Sequence, residues 1–495
     1  MLDIMAVPDR PLTKSRFLRG HQCARSLYYA VFESERLAAP SAEAQARMGA
    51  GLDVGRLAQG LFPGGVWAGA DAAADPVKLL AGTAPAVFEA TLANDAGLSA
   101  RIDVLARGRR GWRLIEVKSS TSVKPEHLPD VAFQLQLARS CGLEVESVEV
   151  LHLNKDYVRR GEVDLDSLFI ASDVTAQAEA LLSGIVGLGA ELRQMLGQAR
   201  LPAVPIGPHC LDPRPCDCMD LCWAGIPEGS VFEIAQLTWK KKFALYQRGL
   251  VRISDVPADL DLSPRARLHV EAHQGGRPIV DRHGLRLFLE SLTYPVFLLD
   301  FETVGPAVPR WDGTRPYGRI PFQYSLHVLR QPGAVPQHSE FLAKPGPDPR
   351  PALLAALLPA TENDGTILAY HMPFELGVMK ELAADFPDHR PEIERRLPRM
   401  DDLITPFRAW QYWLPEMKGS FSIKSVAPAL APDLTYEGLE VHDGLAASLA
   451  YERLLGGIDP AESAPLQQAL LDYCERDTLA MVRVLEAIRR VVEEA

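Results

Sequence analysis

Four of the seven cysteines in this chain crowd into thirteen residues, Cys210, Cys216, Cys218 and Cys222 in HCLDPRPCDCMDLCW. A fifth, Cys23, stands far upstream in RGHQCARSLYY. The N-terminus, MLDIMAVPDRPLTKSR, lacks the basic-then-apolar pattern of a secretion signal, so a cytoplasmic chain is expected. There, clustered cysteines favour a metal or cluster over disulfides. Between Cys23 and the 210–222 group lies RIDVLARGRRGWRLIEVKSST, in which Asp103 precedes Glu116 by thirteen positions and Lys118 follows two residues later. Soft thiolate ligands thus bracket residues suited to a hard metal ion.

A chain of 495 residues is too long for one core, and several domains are expected. No apolar run approaches the ~18–20 residues a membrane span needs, so no membrane partner is expected. The net charge of −12 excludes a general basic coat for nucleic acid but leaves room for a local groove. Basic residues gather around Asp103 (Arg101, Arg107, Arg109, Arg110, Arg113) and at Lys240, Lys241 and Lys242; each group reads equally as a solvated face.

Residues 1–225 read as α/β. A helix capped by Thr13 or Ser15 runs through RSLYYAVFE, and a small-residue stretch follows at 68–76. Two strands joined by the turn GRRG lead to a helix in HLPDVAFQLQLARSCGL and a strand in VESVEVLHLN. Residues 226–290 look helical and polar, a small connector. From TYPVFLLDFETV onward, residues 291–495 return to α/β.

If the two strands pair as a hairpin, Asp103 and Glu116 project from one edge. With the Val117 carbonyl they would bind Mg²⁺ or Mn²⁺, and Lys118 would orient water and offset developing negative charge. A plain Glu–Lys surface pair is the alternative. The run ARIDVL, WRLIEVKSS and VAFQLQLA resembles the RecB-like branch of the PD-(D/E)XK nucleases, with a restriction-endonuclease-like core. The resemblance implies metal binding by Asp103 and Glu116 and catalytic roles for Lys118 and Gln134. Many members carry a metal-binding His on an early helix after G-x-x-x; here GLDVGRLAQG offers only Gly55 near that slot.

One cysteine before this core and three after it resemble the iron–sulfur variant of the branch, seen in AddB-type helicase–nucleases, where a [4Fe–4S] cluster closes the domain. The resemblance implies Cys23, Cys210, Cys216 and Cys222 as ligands, with Cys218 in place of Cys216 as the alternative. Zn²⁺ would use the same thiolates. Cys141 and Cys474 read as core residues.

Strand alternation puts Asp300 and Glu302 of YPVFLLDFETV on one face. Glu375 follows a second strand in TILAYHMPFELGVMKEL, and Tyr473 and Asp477 share a face of one helix. Acidic groups at strand and helix ends suit two-metal phosphodiester hydrolysis. The ordered set resembles the DEDD exonucleases of the ribonuclease H-like fold, in the subtype with Tyr four residues before the last Asp. That implies Asp300, Glu302, Glu375 and Asp477 as metal ligands and Tyr473 as the water-orienting phenol. Glu375 stands where Asp is usual and His371 where Asn is common, and Asp402 is the fallback. Arg315 and Arg319, with Tyr317, Phe322 and Tyr324, form either a nucleic-acid contact or an apolar strand with a basic edge. Lys418 and Lys424, in KGSFSIKSVAPAL, are expected to contact phosphate. Nearly the whole chain resembles a bacterial family named only as a domain of unknown function.

The expected protein is a metal-dependent nuclease with two catalytic α/β domains, the second a 3′–5′ exonuclease with a mixed sheet. Its expected substrate is single-stranded DNA, with a helicase or a repair or phage-defence protein as partner. The rival readings are a nucleic-acid-binding scaffold with degenerate sites and a redox-responsive regulator.

Overall fold

The computed structural model describes residues 11–68 and 80–494, a mixed α/β protein with several sheets. The first ten residues and most of the small-residue stretch lie outside that range. The chain divides into two compact units: residues 1–225 with 306–317, and residues 226–305 with 318–495. None of the described helices is long and apolar enough to cross a membrane.

The first unit is built on a seven-stranded sheet. Its centre is the antiparallel pair Leu98–Arg107 and Trp112–Lys118, followed by Val145–Leu153 parallel to the latter. The helix His127–Ser140 makes the crossover that a parallel pair requires. One face packs on the helices Lys14–Gln22, His127–Ser140 and Thr175–Gln198 through Phe17, Phe133, Leu135 and Leu192. The other packs on Ala42–Gln59 through Val54 and Ala58, and Ala307 of the returning segment joins this second core.

Two helices stand where one long helix is expected at the N-terminus. Lys14–Gln22 is capped by the Thr13 hydroxyl, which accepts from the Arg16 N–H, and ends at Cys23, whose extended backbone starts Ala24–Phe32. The break leaves Cys23 at the start of a new helix, where burial, the larger effect, raises its thiol while the N–H groups of Ser26 and Arg25 pull it down.

The second unit contains a five-stranded sheet in the spatial order Gln337–Leu342, Ile320–Leu329, Val296–Val304, Ile367–Ala369, Met400–Asp402. The first three are antiparallel neighbours and the last two run parallel to Val296–Val304. Phe297, Leu299 and Phe301 point into a core shared with Leu353, Leu357, Val378 and Leu382. Val296 and Leu298 point to the opposite core, formed with Ala480, Met481 and Leu485 of the 34-residue helix Pro460–Glu493. By the same alternation Asp300 and Glu302 fall on the face that this helix covers. Residues 226–290 group with the second unit. Val231, Ile234, Leu245 and Val270 form a small core of their own, whereas Leu285 and Phe288 enter the main one.

Candidate functional site

In the first unit, the pairing of Leu98–Arg107 with Trp112–Lys118 ends at Val104 opposite Ile115. Asp103 and Glu116 are therefore next in register, and the Val117 N–H donates to Asp103 Oδ2 at 2.8 Å, a side chain standing in for a strand partner. Glu116 is buried and accepts from Lys118 Nζ (2.7 Å), Gln134 Nε2 (2.7 Å) and, on both oxygens, Lys14 Nζ (2.9 and 3.1 Å). Asp130, also buried, accepts from Lys118 Nζ at 2.6 Å and Gln134 Nε2 at 2.8 Å. The structure thus brings Asp103, Glu116, Lys118 and Gln134 together and adds Lys14 and Asp130. Asp130 lies one helical turn before Gln134, a signal the sequence held. Lys14 carried none beyond its place at a helix start.

Burial, reinforced by Glu116, pushes Asp103 up to about 7 even though Lys14 and Lys118 pull it down. Burial also acts to raise Glu116, but Lys118 and Lys14 outweigh it and hold that carboxyl well below the usual range. Asp103 is thus the carboxyl short of positive charge, which suits a cation beside it. Its folded value lies above the ~4 of an unfolded Asp, so between about pH 4 and about pH 7 the folded state binds the extra proton and stability falls as pH rises. Asp103→Asn should therefore stabilise the metal-free protein more at neutral pH than at about pH 5. Urea-unfolding midpoints in chelator at both pH values measure this, and a gain that does not change with pH contradicts it.

Cys23, Cys210, Cys216, Cys218 and Cys222 line one pocket with Arg25, Val204, Ile206, Met219 and Trp223. Cys210 and Cys218 are buried, and none of the five is in a disulfide. Burial raises the Cys222 thiol against the pull of Arg25, and Cys216, Cys23 and Cys210 raise it further, so these four sulfurs sense one another. Cys218 instead donates to Ser26 Oγ at 3.4 Å, and its thiol is raised well above the ordinary value, chiefly by Cys216. The Arg25 Nε is buried without a hydrogen-bond partner. Four thiols, a cation and apolar walls suit an anionic thiolate-bound cluster, and the same donors suit Zn²⁺.

In the second unit, ligand atoms of Asp300, Glu302 and Cys474 lie within 4.8 Å of one another, and both carboxyls feel the charges of Asp477 from the long helix and Glu375 from the helix Pro373–Asp385. Glu302, Glu375 and Asp477 are buried, and none of the four carboxylates makes an ion pair among the described residues. Burial and then Asp477 push both Asp300 and Glu302 well up; Lys424 opposes this at Glu302. Burial raises Glu375 to about 8, with Asp402 adding to it and Arg319 opposing, and Glu375 Oε2 has no hydrogen-bond partner. Tyr436 Oη donates to Asp477 at 2.7 Å, Tyr473 also pulls the Asp477 carboxyl down against the burial that raises it, and Lys424 Nζ lies 5.3 Å from the Tyr473 ring centre. A buried group of carboxyls with one lysine nearby and an orphaned oxygen is a donor set that fits divalent cations.

Asp402 has a different job: its Oδ1 accepts from the His371 and Ile404 N–H groups, holding His371 at φ 70°. Cys474, read as core, is buried, but its thiol lies 3.6 Å from Asp300 Oδ2. Tyr436 carried no motif and was missed. Among the basic candidates, Lys424 acts on Glu302 and Asp477, and Arg319 acts on Glu375. Lys418 pairs with Glu228 at 2.9 Å, Arg319 pairs with Glu381 and stacks on Phe374, and Arg315 is exposed in the segment grouped with the first unit. Phe322 and Tyr324 are buried, and Phe322 stacks on Tyr451 at 4.0 Å, so these two side chains belong to the core and do not present faces to bases.

Residues 297–422 match the profile of a family described as a domain of unknown function (DUF2779). This agrees with the resemblance to a bacterial family of that kind, and the matched stretch contains Asp300, Glu302 and Glu375 but ends before Tyr473 and Asp477. No curated protein matches the chain.

Proposed function

We propose that the protein is a metal-dependent nuclease acting on single-stranded DNA, with a ribonuclease H-like 3′–5′ exonuclease in the second unit and a RecB-like nuclease in the first. The observation that carries this is that Asp300, Glu302, Glu375 and Asp477, from three separated elements, feel one another's charges, three of them buried and none in an ion pair among the described residues. Such a group is costly for a fold and rewarding only with cations bound. Three antiparallel strands flanked by two parallel ones, with an acidic pair on the central strand, support the exonuclease reading.

Asp300, Glu302, Glu375 and Asp477 would hold Mg²⁺ or Mn²⁺, which supplies Lewis acidity and an activated water when bound. Tyr473, one helical turn before Asp477, orients that water toward the phosphorus. Lys424 offsets charge on the scissile phosphate. Water oxygen bonds to phosphorus as the bond to the 3′-oxygen of the preceding nucleotide breaks, and that oxygen takes a proton. In the first unit Asp103 and Glu116 would hold the ion, Lys118 places water, and Gln134 fixes Glu116 and Asp130. The cysteine pocket would hold a [4Fe–4S] cluster on Cys23, Cys210, Cys216 and Cys222, closing the domain.

The test is digestion of end-labelled single-stranded DNA and RNA with Mn²⁺ or Mg²⁺. Degradation of DNA supports the proposal, and degradation of neither polymer ends it. Protein purified without oxygen should be brown. Cys210→Ser should remove the colour and Cys218→Ser should retain it; zinc in place of iron by elemental analysis would replace the cluster with a zinc site. Lys14, bonded to both oxygens of Glu116, favours a second reading in which the first unit binds nucleic acid without cutting it.

A further inference from the structure

Away from the carboxylate group, the second unit places two histidines and a glutamate together. His327 lies on Ile320–Leu329 directly opposite His338 on the edge strand Gln337–Leu342, with ring centres 4.5 Å apart. Glu475 reaches them from the helix Pro460–Glu493. One ligand atom from each of the three residues lies within 4.8 Å of the other two.

The hydroxyls around the rings decide how they can act. Thr478 Oγ1 lies 2.8 Å from His327 Nδ1, Ser325 Oγ lies 3.0 Å from His338 Nε2, and the two hydroxyls are 2.7 Å apart. One nitrogen of each imidazole is thereby tethered, which fixes ring orientation as outer-shell partners do at metal centres. His327 Nε2 and His338 Nδ1 remain, and the latter is 3.6 Å from Glu475 Oε1. Ligand atoms about 2.0–2.1 Å from a tetrahedral Zn²⁺ stand roughly 3.3 Å apart, so this separation needs only a small contraction. Glu340, opposite Ser325 in register, and Asp472 add negative charge beside His338 and Glu475.

We propose that His327, His338 and Glu475 form a binding site for a borderline divalent transition-metal ion of the Zn²⁺ type, held by two imidazoles and one carboxylate, with Ser325 and Thr478 as its outer partners. Such a ligand set is softer than the all-carboxylate group and selects a different metal. The ion clips the edge strand to the helix that carries Tyr473 and Asp477, so it acts on the placement of those residues. Partial exposure of His338 and Glu475 leaves an entry path and room for water as a fourth ligand.

The test is equilibrium dialysis of the full chain against micromolar Zn²⁺ after chelator treatment, comparing wild type with His338→Gln. The cysteines take up zinc equally in both, so the difference reports this site. Wild type should hold one more zinc per chain, and His338→Gln should weaken that site by about 100-fold or more, at least the loss seen when an outer partner is removed. Co²⁺ provides an independent reading: the spectrum of wild type minus that of His338→Gln should show weak visible bands without a sulfur charge-transfer band, because the cysteines contribute equally to both. Should His338→Gln alter the near-ultraviolet dichroism of the fold, Glu475→Gln, a more exposed position, replaces it. Equal zinc content and equal cobalt spectra in wild type and a folded variant would overturn the proposal and leave a histidine–glutamate ion pair.

Discussion

Asp300→Asn should slow shortening of 5′-labelled single-stranded DNA on the order of 10³-fold, the result of losing several kcal/mol of transition-state charge stabilisation. It should also make the metal-free protein more stable, by about 1–2 kcal/mol, in the range of gains found when a strained site is relieved. The two effects share one cause. Asp300 is held well above its ordinary value by burial and by Asp477, Glu302 and Glu375, so the charged form that would bind cations is the form the fold resists. An amide of the same shape removes that resistance and the ligand together. Mn²⁺ should then raise the melting temperature of wild type more than that of the variant. Cleavage equal to wild type, or a less stable variant, would refute the assignment of Asp300.

Lys118→Ala and Lys14→Ala should separate chemistry from charge balance in the first unit. Either change leaves Glu116 and Asp130 with one ammonium where two stand now. Each should therefore destabilise the metal-free protein by about 2–4 kcal/mol, near the lower end for a broken buried pair because both lysines are partly exposed. Divalent ions should restore part of that loss. Measured in an Asp300→Asn background, Lys118→Ala should lower cleavage by about 10²–10³-fold, the scale of removing one positioned donor. Lys14→Ala should retain most of the cleavage and bind Mn²⁺ more tightly, since Lys14 occupies both oxygens of Glu116. Weaker Mn²⁺ binding in Lys14→Ala would mean that Lys14 helps to build the metal site; tighter binding with no cleavage at all would support the binding-only reading.

Elements with a clean period were legible before any coordinates. The strand Val296–Val304 alternates so regularly that the shared face of Asp300 and Glu302 follows from it, and the spacing of Asp103 and Glu116 fits the observed hairpin. Long-range partners were not legible. Lys14 meets Glu116 across 102 positions, and Tyr436 meets Asp477 across 41, with no local pattern marking either. The break at Cys23 was hidden because helical periodicity continues on both sides of it; only the capping geometry reveals the interruption. Phe322 and Tyr324 read equally as stacking platforms or as an apolar strand, because a fully buried strand and a base-binding strand share the same composition, and their burial decides for the strand.

Residues 306–317 bear on how the chain acquires its structure. Ala307 completes a core of the first unit, the Pro309 carbonyl accepts from Arg159 Nη1 at 2.8 Å, and Tyr317 donates to the Ser119 carbonyl, beside Lys118. The first unit is therefore discontinuous in sequence and cannot finish folding on the ribosome until residue 317 has emerged, by which time one strand of the second sheet has already been made. A fragment ending at residue 225 should expose the seat of Ala307 and aggregate, whereas one that supplies 306–317 through a short linker should remain monomeric. Light scattering on the two fragments distinguishes these outcomes.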